Sequence, residues 1–248
     1  MERRVSCEVC NSSIGGTLVS VFPNIIMKVP ANASMQEKST IYESAVNSPR
    51  EMSLLEFLKL GEKYREVIGR LRSCEDKEIR NKIKRTELPC ATISASFTSR
   101  ASSKAVEEKL KRYNSLMVLD FDNLEDPAAA KEELSQLPFF WYIGLSVGGK
   151  GLFGIVPLGT DDFKEHKVYF NALRKELEVF GYEVDKACCD VTRLRVVSYD
   201  PDAFFNENCE VFCIDEREED DGEVYSSGPV PERAQDRSSR IELYVLEW

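Results

Sequence analysis

Asp120-Phe121-Asp122 places two carboxylates at the end of a short apolar run, residues 115–120. If the strand persists through the triplet, side chains alternate, so both acids leave one face and Phe121 the other. Paired hard oxygen donors suit a divalent ion such as Mg²⁺ or Mn²⁺ held together with substrate phosphates. The same triplet is also an ordinary way to end a strand. Downstream, Ser146-Val-Gly-Gly-Lys-Gly151 forms a glycine-rich turn. Backbone N–H groups of Gly148 and Gly149 can approach an anion there, and Lys150 adds a point charge suited to phosphate. A tight hairpin needing glycine at positive φ explains the glycines equally well, and the spacing is not that of a Walker loop. Asp185, Asp190, Arg193 and Arg195 cluster around the last predicted strand. A third carboxylate, Asp185 or Asp190, could complete a metal site. Two arginines two residues apart share a strand face and can grip a triphosphate or a template backbone. Metal ligands and anion clamps are what phosphoryl or nucleotidyl transfer requires.

Other chemistries find less support. His166 is the only histidine, so no histidine-based triad or His-rich metal site can be assembled. It falls on an apolar helical stripe and reads as structural. Cys7-x-x-Cys10 is half of a zinc-ribbon pattern, but the spacing of Cys209 and Cys213 does not complete it, and no structural zinc is expected. The vicinal Cys188-Cys189 reads as a pair of free thiols.

The chain of 248 residues carries 33 Lys+Arg against 43 Asp+Glu, a net charge of −10. That charge is unevenly spread: residues 215–223 contribute −6, whereas 59–113 carry a net +7. An acidic total therefore does not exclude a polyanionic partner, which needs only a local basic patch. No apolar run approaches the roughly 18 residues of a membrane span, and no signal-peptide core follows the first basic residues. Eight cysteines without an export signal point to reduced thiols and a cytoplasmic protein.

The elements that must position these residues follow from periodicity. A strand-like run covers 17–22. Ser53-Leu-Leu-Glu56 is a capping box opening a helical region that includes a charged helix over about 75–85. A β-like run at 91–97 and a short helix before Asn114 come next. Residues 115–120 read as a strand, Asp126-Pro127 as a helix start, 141–147 and 152–158 as strands around the glycine turn. Asp162-x-x-Glu165 opens a long helix ended by Gly181, and 194–198 reads as a last strand. The order β-α-β-β-α-β predicts an α+β fold with a ferredoxin-like, RNA-recognition-motif-like core over 115–214 and an N-terminal helical and strand extension. The expected organisation is an extension at 1–16, a domain at 17–214, an acidic, Ser/Pro-rich linker at 215–240 and the start of a following segment at 241–248.

Several spaced stretches carry a resemblance in order: 88–100, 115–122, Ser146 to Leu152, His166 to Phe170 and Asp190 to Pro201. Together they resemble the VirE N-terminal domain family of bacterial mobile elements, itself similar to the archaeo-eukaryotic primase (primase-polymerase) superfamily. That resemblance implies a metal-dependent nucleotidyltransferase in a mobile-element replication protein, using single-stranded DNA or RNA as template and nucleotides as substrate. A helicase or another replication domain would follow it. Under it, Asp120 and Asp122 match the first metal motif, Ser146 to Gly151 the phosphate-binding motif, and Val184-Asp185 the later hydrophobic-Asp motif, with Asp190 in reserve. Asp120, Asp122 and Asp185 would be catalytic, and Arg193 matches a basic residue of relatives. Where relatives carry a phosphate-binding histidine, this chain has Phe153. That substitution motivates the alternative, a catalytically silent relative that binds nucleic acid or a partner.

Overall fold

The computed structural model describes residues 14–22, 49–99 and 104–214. The proposed linker at 215–240, the segment beyond it and the Cys7-x-x-Cys10 pair lie outside the described residues. A 3₁₀ turn, Ile14–Gly16, leads into β1 (Leu18–Phe22), which pairs antiparallel with β2 (Arg50–Ser53). Ser53 then caps α1 (Leu54–Lys63). Its hydroxyl accepts from the Glu56 N–H at 3.2 Å and the Glu56 carboxylate accepts from the Ser53 N–H at 2.8 Å, the reciprocal box expected of Ser-x-x-Glu. The chain breaks at Tyr64 into α2 (Arg65–Ser73), and Asp76 caps α3 (Lys77–Thr86) through the N–H groups of Glu78 and Ile79.

The β-like run at 91–97 splits into β3 (Cys90–Thr92) and β4 (Ala95–Phe97). Between Phe97 and the next sheet lie one helical turn, α4 (Val106–Lys109), and β5 (Leu110–Tyr113), which pairs with β4. The central unit follows: β6 (Leu116–Phe121), α5 (Pro127–Ser135), β7 (Tyr142–Leu145), β8 (Leu152–Pro157) and α6 (His166–Val179). Asp126 caps α5 with Pro127 in its first turn, and Gly181 at φ +80° closes the chain after α6. β8 lies between β6 and β7, antiparallel to both. This is the split β-α-β arrangement that the sequence order predicts.

The last strand departs from expectation. β9 (Leu194–Val196) does not join β6. It pairs with β3, completing a second antiparallel sheet ordered β2-β1-β3-β9, while β10 (Phe204–Phe205) extends the first sheet to β10-β7-β8-β6. A recognition-motif core closed by β9 is therefore not what forms. The reason lies in the irregular segment after α6. It passes along the free edge of β6, where the Asp185 N–H donates to the Asp120 carbonyl at 3.0 Å, and then turns through a 3₁₀ element, Lys186–Cys189. With that edge occupied at Asp120, the three-residue β9 finds its ladder on β3.

The two faces of β6 build different cores. Met117, Leu119 and Phe121 pack with Leu134 of α5 and Phe170, Leu173 and Leu177 of α6. Leu116 and Val118 face the other way, into a cluster with Val19, Val21, Ala91, Phe57, Ile68 and Leu71. Strand alternation puts Asp120 on this second face, between the sheets. The fold is α+β, and among the described residues no helix is long and apolar enough to cross a membrane.

Candidate functional site

Asp120, 6 % exposed, sits at the seam where the two sheets meet. Its carboxylate pairs with the guanidinium of Arg195 on β9, so one ion pair bridges the sheets. Asp185 reaches the same place from the other side of α6. It caps the 3₁₀ turn by accepting from the Ala187 N–H at 3.0 Å, and its second oxygen accepts from Arg193 at 2.5 Å. Arg193 also stands 3.5 Å from Asp120. The turn delivers Cys188, whose Sγ lies 3.7 Å from Asp120 Oδ2. Burial and then the Asp120 carboxylate push this thiol up to about 12, so it stays protonated as a donor.

Ligand atoms of Asp120, Asp185 and Cys188 all fall within 4.8 Å of one another. Two converging carboxylates fit a hard divalent ion, and the protonated thiol stands beside them as a hydrogen-bond donor. Asp122 is not in this group. It lies just past the end of β6, exposed, because Asn123 adopts a left-handed φ of +57° and turns the chain away. It still shares the field: burial, then Asp120 and Asp185, raise its pKa, with Arg195 and Arg193 opposing. Asp190 has a different task. Its carboxylate accepts from the Thr192 N–H at 2.8 Å and its carbonyl from the Arg193 N–H at 2.9 Å, shaping the turn that presents Arg193.

The turn from Ser146 to Gly151 is a hairpin between β7 and β8, closed by Ser146 N–H to Gly151 carbonyl at 2.8 Å, with Gly149 at φ +75°. It is tied to the carboxylates. Leu124 N–H donates to the Lys150 carbonyl at 3.2 Å, and a Cβ on Gly151 would lie 2.3 Å from the Phe121 carbonyl oxygen. Lys150 points to solvent. Beneath the turn runs Arg72 of α2, donating to the carbonyls of Ser146 at 3.2 Å and Tyr199 at 2.8 Å. A Cβ on Gly148 would come within 3.1 Å of the Arg80 guanidinium. Lys84, one turn along α3, has its pKa lowered by burial first and by Arg80 and Arg195, against the pull of Asp122 and Asp120.

The structure thus brings Asp120, Asp185, Arg193 and Arg195 together, sets Asp122 and the glycine turn at their margin, and leaves Asp190 and Lys150 outside the contact. Cys188, Lys84, Arg80 and Arg72 escape sequence reasoning. Lys84, Arg80 and Arg72 were visible only as members of a basic stretch, and nothing in the vicinal cysteines signals that one would meet Asp120. His166 is buried at the start of α6, its Nδ1 2.9 Å from the Tyr113 hydroxyl, as a structural residue should be.

Residues 83–205 match the sequence model of a family described as BT4734-like, N-terminal domain. This stretch holds Lys84, both carboxylates of the seam, Asp122, the glycine turn, Cys188 and both arginines, whereas Arg72 and Arg80 precede it. No curated protein and no solved structure matches the chain.

Proposed function

We propose that this chain is a metal-dependent nucleotidyltransferase-type module, of the primase-polymerase kind, that acts on nucleic acid and nucleotides in a mobile-element replication protein. The observation that carries this reading is the convergence of Asp120 and Asp185 from segments 65 positions apart onto one pair of arginines. Carboxylates for a cation and guanidiniums for phosphoryl oxygens are thereby set side by side. A bound Mg²⁺ or Mn²⁺ ion, held by Asp120 and Asp185, would supply Lewis-acid stabilisation of charge on the phosphate. Asp122, exposed at the rim, faces incoming substrate. Arg193, partly exposed, would reach phosphoryl oxygens, with the glycine turn as the adjoining wall. Exposed Arg65, Lys77, Lys82 and Arg85 on α2 and α3 offer a basic surface for a single-stranded backbone. The ordered motifs resembling the VirE N-terminal domain family support the same reading.

A second reading is favoured by Phe153. It is 2 % exposed and fills the place of the relatives' histidine with an apolar ring, which suits a silent relative that only binds nucleic acid.

Primer extension with labelled nucleotides and Mn²⁺ separates the two, with strand binding measured in parallel. Incorporation by the wild type that is lost in Asp122→Ala, at unchanged strand binding, supports the enzyme. The exposure of Asp122 keeps that variant folded. Strand binding without incorporation in either protein supports the binding module.

A further inference from the structure

The two carboxylates suited to a cation are not free to take one. Asp185 and Asp120 both contact Arg193, and Asp120 is paired again with Arg195. Within this group of four, two negative charges already balance two positive ones, and a divalent ion added to it would meet both guanidiniums at close range. Arg195 is itself 9 % exposed, pinned between Asp120 and the Phe153 ring 4.7 Å from its guanidinium carbon, yet its Nε has no hydrogen-bond partner. A buried guanidinium with an idle donor keeps hydrogen-bonding capacity that an anion can use. Around it stand further cations: Lys84, half-buried, and Arg80, whose Nε is likewise unpartnered. Arg193 is the movable member, with a third of its side chain exposed.

We propose that anion and cation binding are coupled at this seam. A phosphoryl or sulfate-like anion draws Arg193 away from Asp185 and occupies the idle donors of Arg195 and the α3 cations. It thereby releases the carboxylates for a divalent ion. Without the anion, the arginines weaken metal binding. This inference rests on the metal-dependent reading above and adds an order to it: the charged substrate and the ion enter together. Coupling of this kind is reciprocal, so the ion must raise anion affinity by the same factor.

The test is Mn²⁺ binding to the purified chain, followed by the electron paramagnetic resonance of free Mn²⁺, with sodium sulfate or with sodium chloride at matched ionic strength. Sulfate serves as an anion that chelates Mn²⁺ only weakly. The expected result is roughly tenfold tighter Mn²⁺ binding with sulfate. In Arg193→Gln, tight binding should already occur in chloride and sulfate should add little. Equal Mn²⁺ affinity in the two salts for the wild type overturns the coupling and leaves the metal reading standing. No Mn²⁺ bound by either protein in either salt overturns both. The wild-type comparison needs no variant, so a folding defect in Arg193→Gln does not protect the proposal.

Discussion

Phe153 on β8 stands directly across from Asp120 on β6, and the Arg195 guanidinium that pairs with Asp120 rests on the Phe153 ring. Residues opposite one another in an antiparallel pair share a face, so the aromatic ring and the carboxylate grip the same arginine from adjacent strands. At this position of β8 the chain has a platform for an arginine.

Replacing that platform should loosen the arginine. Phe153→Leu removes the cation–π contact and leaves a partial void, and is expected to cost about 1–3 kcal/mol. Urea denaturation of the wild type and variant measures the loss. A stability unchanged within error would show that the ring does not hold Arg195.

The Asp120–Arg195 pair is buried, so breaking one side strands the other. Asp120→Asn should destabilise the chain by about 3–5 kcal/mol, because Arg195 is left charged without its partner. The double variant Asp120→Asn/Arg195→Met should lose clearly less than the single one. A double-mutant cycle in urea reports the difference, and additive losses would contradict a direct pair.

His166 makes stability depend on pH. Burial pushes its folded pKa down to about 4, so it stays neutral against Tyr113 while an unfolded histidine protonates near its ordinary value. Unfolded chains then bind more protons as acidity rises. The contribution is whole above about pH 6.5 and is lost as pH falls towards 4, a total of about 3 kcal/mol. Unfolding free energies of wild type and His166→Gln across this range check it. The variant's slope should be flatter by one proton, and parallel slopes would refute the assignment.

Two helical glycines should respond oppositely to alanine. A Cβ on Gly61 of α1 would fall 1.8 Å from the Ser198 carbonyl oxygen, whereas one on Gly69 of α2 meets nothing within 4 Å. Gly69→Ala is expected to stabilise by about 0.5–1 kcal/mol through helix propensity. Gly61→Ala should cost about 1–3 kcal/mol, because α1 must back away from the segment that follows β9. Thermal melts of the two variants should move in opposite directions.

Local chemistry accounts for what could be read along the chain. Ser53-x-x-Glu56, Asp126-Pro127 and Gly181 mark helix ends because caps and left-handed turns are decided within a few residues. The alternation of β6 put Asp120 on a defined face for the same reason. Four of the expected strands came out shorter than their expected runs, since ladder bonds, not apolarity, set a strand's limits.

The partners of Asp120 belong to another scale. No spacing in the sequence states that the segment after α6 will cover the edge of β6, that β9 will therefore pair with β3, or that Arg195 will return across the seam with Cys188 beside it. The sequence determined which residues carry charge, where helices cap and which strand faces are apolar, because those depend on near neighbours. Only tertiary structure decided that the acids would meet arginines. That outcome depends on which sheet edge is left open once the two cores have packed.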